Sequence, residues 1–405
     1  MLSSIRRQSF RARATDSVEA RPSAKERAFA MSLLNNKYPA RHGLRFIAIL
    51  LVIVVHQPPW GMPGLFAFLR GRLWFSMDLF FVLSGFLIAS LLLSSRGKSE
   101  RESVAKFYLR RMFRTFPQYY FILGVLFFVS LQPNLRPFLF APGNQLDYRT
   151  HIAKELLYLT NYPFDIRLLM PWSWSLSVEE HFYLICPFFL LFLARLPQKY
   201  RLPFLVFVFL IPPVLRFFAT NGERDHFFSR VYCATHLRFD PLIAGIFAAV
   251  LEKEYGNRIE SLLQNSRIKV LAWVVPLVIF VFVICAFSLT EPYSLTNYRI
   301  GALCVGFLPA IAYSILILRF IHETGWWTRI LGSHAMRVLA TLGYNVYLVH
   351  YVVINKITPW FSADLTGRVL AFVAICFLSF GYAFIAHYLI DKPFLWLRDR
   401  VVPSK

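Results

Sequence analysis

Long apolar segments constrain the fold of this chain more than any other feature of its sequence. Residues 270–289 and 369–390 contain no Asp, Glu, Lys or Arg, and each has about the 20 residues that a helix needs to cross a bilayer. The whole chain is 57% hydrophobic and 16% charged, whereas a soluble globular protein averages about 25% charged residues. The sequence therefore predicts an all-α membrane protein and excludes an ordinary soluble enzyme, a disordered chain and a small disulfide scaffold.

Hydropathy predicts a polytopic bundle of about ten transmembrane helices. The predicted spans are 44–62, 74–95, 115–133, 174–194, 202–218, 236–252, 270–289, 300–319, 338–356 and 368–390. If the N-terminus is inside, 31 of the 44 Lys and Arg residues fall in inside segments, which predicts that both termini are cytoplasmic. The formal charge of +22 then belongs to loops that face anionic membrane lipid, and no nucleic-acid partner is expected.

The sequence predicts three parts along the chain. Residues 1–43 are polar and Arg-rich without an apolar core, so we expect a disordered basic cytoplasmic tail rather than a cleaved secretory signal. Residues 44–395 form one transmembrane domain, and residues 396–405 form a cytoplasmic C-terminal tail. The five cysteines are far apart and lack the Cys/His spacing of a metal site, so neither a disulfide framework nor a metal is predicted.

Several ionisable residues interrupt the predicted spans at a similar depth. At about 1.5 Å per helical residue, His56 and His350 lie roughly 18 Å from the cytoplasmic face, while Asp78 and Glu179 lie roughly 6–8 Å below the outer face. Such groups are costly in lipid and indicate a functional site. The alternative for any one of them, especially Asp78 and His350, is an interhelical hydrogen bond with a structural role.

Arginines gather where the first and third spans enter from the cytoplasm. Arg111 and Arg114 are three residues apart and share one helix face, and Arg45 precedes His56 by 11 residues, or roughly 16 Å along a helix. Ordinary positive-inside anchoring would explain these residues. The functional alternative is a group of guanidiniums that binds the phosphates of a nucleotide-type cofactor, whose flexible arm reaches inward to His56.

Six sequence motifs occur in an order that resembles a known family. They are Arg45-x10-His56, the Phe-Phe-x-Leu-Ser-Gly-Phe block after Asp78, Arg111-x-x-Arg114 with Pro117, Trp174-Ser-Leu-x-x-Glu179 with Tyr183, the segment Gly343 to His350, and Asp391-Lys-Pro-Phe394. Together they resemble the integral-membrane acyltransferase-3 family of O-acyltransferases. Asp391 stands where that family more often has Glu, and His181 stands where Gln is common.

This resemblance implies a chemical function for the matched residues. Members of the family move an acyl group, usually acetyl, from acyl-CoA to a carbohydrate hydroxyl. The likeness implies that His56 is the catalytic histidine, and that Arg45, Arg111 and Arg114 engage the acyl-CoA donor. Acetyl-CoA would thus be the co-substrate, a carbohydrate or glycan the acceptor, and the bacterial inner membrane the location.

A histidine near pKa 6.5 can remove the proton of a sugar hydroxyl as that hydroxyl attacks a thioester. A carboxylate on the other ring nitrogen would orient such a base, and the shared depth favours Glu179 first and Asp78 second. The candidates for contacts with the acceptor are Trp174, Ser175, Tyr347 and His350. The oxyanion donor stays open among Ser84, Ser175, Ser177, Tyr347 and the backbone amides near Gly85.

Three other functions are compatible with the pattern. A proton-coupled transporter also uses buried histidines and carboxylates. A second class of membrane acyltransferase would rely on His350 with an upstream polar residue, for which Asn345 is available. A catalytically inactive relative could serve as a membrane receptor or scaffold.

Overall fold

The structure of this chain is a computed structural model, which describes residues 38–58, 64–94, 100–135, 151–162, 164, 167–220, 227–286 and 295–402. In this part the chain is helical, and its only β-type pairing is an isolated bridge between Asn161 and Phe164. The helices are α1 (Ala40–His56), α2 (Gly64–Arg70), α3 (Ser76–Ser94), α4 (Glu100–Leu131), α5 (Ile152–Leu156), α6 (Trp174–Arg195), α7 (Gln198–Ala219), α8 (Asp240–Gln264), α9 (Ser266–Ala286), α10 (Leu295–Cys304), α11 (Phe307–Ile321), α12 (Trp326–Leu331), α13 (His334–Ile357), α14 (Leu365–Ala386) and α15 (Lys392–Val401). The all-α prediction is confirmed.

Eight helical stretches among the described residues are long and apolar enough to cross a bilayer. They are Leu73–Leu93, Val104–Leu131, Pro171–Arg195, Gln198–Ala219, Ser266–Ala286, Asn297–Ile321, His334–Trp360 and Leu365–Val401. The chain is therefore a multi-pass membrane protein, as predicted. The two other predicted spans are helices too, but α1 has only 17 residues and the second half of α8 is strongly charged.

Three boundaries differ from the sequence prediction. Helix α1 already begins at Ala40 and ends at His56, so residues 40–43 are not part of a disordered tail, whereas residues 1–37 lie outside the described part. Helix α15 covers most of the predicted C-terminal tail. The predicted span 300–319 is divided at Gly306, which has a φ of 77° and on which a Cβ would lie 2.9 Å from Arg238 and Asp240 side-chain atoms.

Helices α3 and α8 form the closest helix pair of the interior. A Cβ added to Gly85 would lie 2.1 Å from the carbonyl oxygen of Leu242, and one added to Gly245 would lie 2.1 Å from that of Val82. Glycine at these two positions lets the backbones approach closely, which is how small residues strengthen helix packing in membranes. Helix α1 packs against α3 and α13, so α1, α3, α8 and α13 build the framework of the site.

The segment before α6 is anchored to the bundle by Glu155 of α5. The side chain of Glu155 is fully buried, and its Oε1 atom accepts a 2.7 Å hydrogen bond from the backbone N–H of Met170. The Tyr119 hydroxyl of α4 donates a 2.8 Å hydrogen bond to the Glu155 carbonyl. These bonds fix the chain that leads into Trp172, which contacts Leu348 and Tyr351 of α13.

Candidate active site

His56 is the last residue of α1, and its imidazole contacts a second histidine. The Nδ1 atom of His56 lies 2.9 Å from the carbonyl oxygen of Val52 and 3.4 Å from Nε2 of His350. The two rings meet edge to face, with centroids 4.9 Å apart. His350 is completely buried, and its Nδ1 atom lies 2.6 Å from the carbonyl oxygen of Tyr347.

These contacts assign the protons of the histidine pair. A carbonyl oxygen only accepts hydrogen bonds, so Nδ1 of His350 carries a proton and donates it to Tyr347. In neutral His350 the Nε2 atom is then an acceptor, which matches a proton on Nδ1 of His56. That proton is shared between Val52 and His350, and neutral His56 is left with an unprotonated Nε2. The pair therefore presents a ring nitrogen that can accept a proton.

Aromatic side chains wall the histidine pair. Trp172 stacks on Tyr351, with centroids 4.9 Å apart and an interplanar angle of 25°, and Tyr351 presents its edge to His56 at 5.7 Å. The indole N–H of Trp172 donates a 3.2 Å hydrogen bond to the carbonyl oxygen of Leu348. Trp172 is itself only 5% exposed, so this aromatic contact to the histidine pair lies in the interior.

The structure brings only part of the predicted acceptor group to His56. His350 and its neighbour Tyr351 touch the imidazole, whereas the hydroxyls of Ser175 and Tyr347 lie 2.6 Å apart and bond each other. Tyr347 also donates a hydrogen bond to the carbonyl oxygen of Trp172. Trp174 packs between Phe81 and Tyr232 instead. Ser175, Tyr347 and Trp174 thus hold neighbouring elements together in this structure.

The predicted arginine group lies together, on α1 and α4. Arg45, Arg111 and Arg114 interact electrostatically with one another, and all three are accessible at least in part. Arg111 places its guanidinium 3.7 Å above the ring of Tyr183 and 3.6 Å from Oε2 of Glu179. Its Nε atom is buried without a hydrogen-bond partner, so this group retains capacity to bind an anion.

Glu179 belongs to the arginine group rather than to the histidine pair. Its Oε1 atom accepts a 2.8 Å hydrogen bond from Ser84, and its Oε2 atom accepts a 2.7 Å hydrogen bond from Tyr183 in addition to the contact with Arg111. Both carboxylate oxygens are therefore occupied away from His56. In this structure the Nδ1 atom of His56 faces His350, and Glu179, the first carboxylate expected beside His56, contacts Ser84, Tyr183 and Arg111 instead.

Asp78, the second expected partner, is likewise engaged elsewhere. Its Oδ1 atom accepts a 2.6 Å hydrogen bond from Arg238, and both side chains are fully buried. Beside them, Arg216 donates bonds of 3.0 and 2.8 Å to the two carboxylate oxygens of Asp240. Two arginines and two aspartates make a neutral buried network that joins α3, α7 and α8. Arg216 and Arg238 were not among the residues predicted from the sequence, although an Arg within a span indicates a carboxylate partner.

No group of three or more His, Cys, Asp or Glu side chains that could hold a metal ion occurs among the described residues. The pairing of His350 with Asn345, on which the second class of membrane acyltransferase would rely, is not formed. The Asn345 amide instead donates a 2.8 Å hydrogen bond to Oδ2 of Asp391. The two features on which the site rests are thus the histidine pair and the arginine group, at different heights along α1.

Comparison with known proteins assigns the family. A family model described as an acyltransferase domain, that of the acyltransferase-3 family, matches residues 40–388. The chain is 29% identical over 336 residues to the peptidoglycan O-acetyltransferase OatA of Listeria monocytogenes, covering 80% of this chain and 51% of that protein. It is 26% identical over 371 residues to a protein of Staphylococcus aureus strain COL named "Putative O-acetyltransferase", covering 88% of this chain and 57% of that protein.

The chain thus spans little more than half the length of the curated relatives that it matches. No solved structure matches it significantly. The family model covers most of the chain, including the histidine pair and the arginine group. This chain belongs to the acyltransferase-3 family.

Proposed function

We propose that this protein transfers an acetyl group from acetyl-CoA to a hydroxyl of a glycan acceptor, with His56 as the general base. The observation that carries the proposal is the hydrogen bond between His56 and His350, since it leaves Nε2 of His56 unprotonated. The names of the relatives, which are O-acetyltransferases and in one case act on peptidoglycan, support a glycan acceptor.

The arginine group supports acyl-CoA as the donor. Arg45, Arg111 and Arg114 carry three positive charges, and Glu179 neutralises one of them. An excess of charge in a partly buried site is costly unless an anion binds there, and the phosphates of coenzyme A are anions that guanidinium groups bind well. The unpartnered Nε of Arg111 fits this assignment. The 11 residues from Arg45 to His56 correspond to about 16 Å, a distance that an extended pantetheine arm can cover.

In the proposed reaction, Nε2 of His56 takes the proton of the acceptor hydroxyl as its oxygen attacks the thioester carbon. The resulting imidazolium donates from Nδ1 to His350, which keeps the ring in place. Collapse of the tetrahedral intermediate breaks the carbon–sulfur bond, and the coenzyme A thiolate leaves and regains a proton from His56. His350 is thus a positioning residue, and general-base catalysis of this kind contributes about 10²- to 10⁴-fold in rate.

The charge distribution supports a sidedness for the reaction. We place both termini and the arginine group in the cytoplasm, and the His56 end of α1 toward the outer side of a bacterial inner membrane. The coenzyme then stays bound from inside while the acetyl group reaches an acceptor from outside. A glycan can be modified in this way without the whole coenzyme crossing the bilayer.

Acetyl transfer by the purified chain in proteoliposomes tests the proposal. His56→Ala is expected to lower transfer of labelled acetyl from acetyl-CoA to a glycan by about 10³-fold, whereas His334→Gln, which changes an exposed histidine at the start of α13, leaves it unchanged. A monodisperse size-exclusion profile shows that the variant is folded. Normal transfer by His56→Ala rejects the mechanism, and proton flux without acetyl transfer by the wild-type protein would favour the transporter.

A further inference from the structure

A second cationic group lies beside His56, on the opposite side from the arginine group. Arg70 is the last residue of α2, and its Nε atom donates a hydrogen bond to the backbone carbonyl of Gln57. Gln57 directly follows His56, and the charge of Arg70 acts on the His56 imidazole. Arg70 therefore lies at the base itself, at the end of α1 farthest from Arg45.

Arg70 has no carboxylate partner among the described residues. The chain between Gln57 and Arg70 contains no Asp or Glu at all, so its own loop cannot supply one. The side chain is half-buried. A guanidinium that is partly removed from water and lacks an anion is unfavourable, which makes an anionic ligand the natural complement.

The side-chain amide of Gln57, the residue whose backbone carbonyl binds Arg70, is a second donor without a partner. Gln57 is 3% exposed, and its Nε2 atom is buried without a hydrogen-bond partner. A buried donor left without a partner costs about 1–3 kcal/mol. Two groups of neighbouring residues next to His56, the Gln57 amide and the Arg70 guanidinium, are thus donors with capacity to spare, and a ligand that pairs with them must carry acceptor oxygens.

We propose that Arg70 and Gln57 form a subsite for a carboxylate group on the acceptor sugar. Because Nε of Arg70 is already bound to Gln57, the two terminal nitrogens of its guanidinium remain, and this edge matches a planar carboxylate with two parallel hydrogen bonds. The donor phosphates are proposed to bind near Arg45, at one end of α1, whereas this subsite lies next to His56 at the other end. The subsite therefore contacts the acceptor. The inference rests on the proposed function and adds that the acceptor is an acidic glycan.

A matched pair of acceptors tests this subsite. An oligosaccharide that contains N-acetylmuramic acid is compared with the same oligosaccharide after reduction of its lactyl carboxylate to an alcohol. We expect the wild-type protein to use the acidic form with a kcat/KM about 10- to 100-fold higher, the range expected for one charge-assisted bidentate interaction. The difference is expected mainly in the KM for the acceptor.

Variants assign that preference to the two residues. Arg70→Gln is expected to abolish the preference, Arg70→Lys to retain only part of it, and Gln57→Leu to reduce it, with the KM for acetyl-CoA unchanged in each. Arg299→Gln, which removes an exposed guanidinium on α10, is the control and keeps the preference. An unchanged KM for acetyl-CoA also shows that each variant is folded.

Two results would overturn the subsite. Equal use of both acceptors by the wild-type protein removes the reason for a carboxylate site while leaving the proposed acetyl transfer intact. An equal fall in kcat on both acceptors in Arg70→Gln indicates that Arg70 stabilises the oxyanion of the thioester instead. Failure of the wild-type protein to acetylate either acceptor or any neutral glycan rejects the proposed function, and the subsite with it.

Discussion

At the scale of single residues, the imidazole of His56 is oriented by the imidazole of His350. In neutral His350 the proton is on Nδ1, which donates to the carbonyl oxygen of Tyr347. Its Nε2 atom is therefore free to accept a hydrogen bond from the Nδ1–H of His56. A hydrogen bond that sets the tautomer of a catalytic histidine is a major determinant of rate in the serine protease triad, where a carboxylate has this role. Here the carboxylate that was expected in this role, Glu179, is bound to Arg111 and Tyr183 instead.

This arrangement predicts how substitutions of His350 affect catalysis. His350→Leu removes the acceptor and is expected to lower kcat by about 10²-fold, with little change in the KM for acetyl-CoA. His350→Gln keeps a side-chain carbonyl oxygen that can accept from His56, so part of the rate is expected to return. Steady-state kinetics of the two variants checks this. A fall in thermal stability with unchanged kcat would mean that His350 only fills the core.

At the scale of helices, two elements determine where the site residues lie. The first is the close contact of α3 with α8 through Gly85 and Gly245. The backbone carbonyl oxygens there lie 2.1 Å from where a Cβ would stand, and a backbone atom cannot move aside as a flexible side chain can. This contact brings Asp78 of α3 against Arg238 and thereby removes Asp78 from the surroundings of His56.

We expect Gly245→Ala to destabilise the protein by about 2–3 kcal/mol, in the range of overpacked cores. Gly124→Ala is the matched control, because Gly124 is also a helix residue and nothing lies within 4 Å of its added Cβ. Replacing glycine by alanine there is expected to be neutral or stabilising by up to about 1 kcal/mol. Thermal inactivation in detergent compares the two, and equal stability of both variants contradicts the packing argument.

The second element is the segment from α5 to Trp172, which Glu155 holds. Burial raises the pKa of Glu155 to about 7, although the backbone N–H groups of Met170 and Leu169 oppose that shift. The folded state therefore binds a proton that the unfolded state has lost above about pH 4.5. The contribution of this group to stability is present below pH 4.5 and decreases as the pH rises toward 7.

Glu155→Gln should remove this pH dependence, because an amide does not titrate. We expect the difference in melting temperature between the variant and the wild-type protein to change steadily from pH 5 to pH 7, with the wild-type protein losing stability as the pH rises. Differential scanning fluorimetry over this range measures it. A difference that is independent of pH would show that Glu155 does not take up a proton on folding.

At the scale of the whole molecule, the two ends of α1 have different chemistry. Arg45, Arg111 and Arg114 lie toward one end, and His56, Arg70 and Trp172 lie toward the other. In the proposed reaction these ends face opposite sides of the membrane, so the protein would connect a cytoplasmic acyl donor with an external acceptor. The orientation of the chain is therefore part of the mechanism.

The orientation can be measured with reporter fusions. A green fluorescent protein fused after Lys405 is expected to fluoresce in the bacterial cytoplasm, and alkaline phosphatase at the same position is expected to be inactive. The same fusions between α1 and α2, at the His56 end, should give the opposite result. A periplasmic C-terminus would place the arginine group outside and contradict cytoplasmic acetyl-CoA as the donor.

Much of this protein was determined by local sequence. Helical structure and multiple membrane spans follow from segment length and apolarity, which act within each segment. The arginine group was predictable, because Arg111 and Arg114 are three residues apart on one helix face and Arg45 precedes His56 by 11 residues on α1. The division of the span 300–319 at Gly306 was missed, because Gly306, with a φ of 77°, packs against Arg238 and Asp240, which are distant in the sequence.

Only the tertiary structure decided which polar groups meet. Counting residues along a span predicts the depth of a side chain, and the predicted depths of Asp78, Glu179 and His350 are similar to that of His56. Depth does not give the rotation of each helix about its axis or the identity of its neighbours. Packing of α1 against α13 brings His350 to His56, while the α3–α8 contact brings Asp78 to Arg238. The partner of His56 was thus decided by helix packing, because that choice depends on contacts between segments far apart in the sequence.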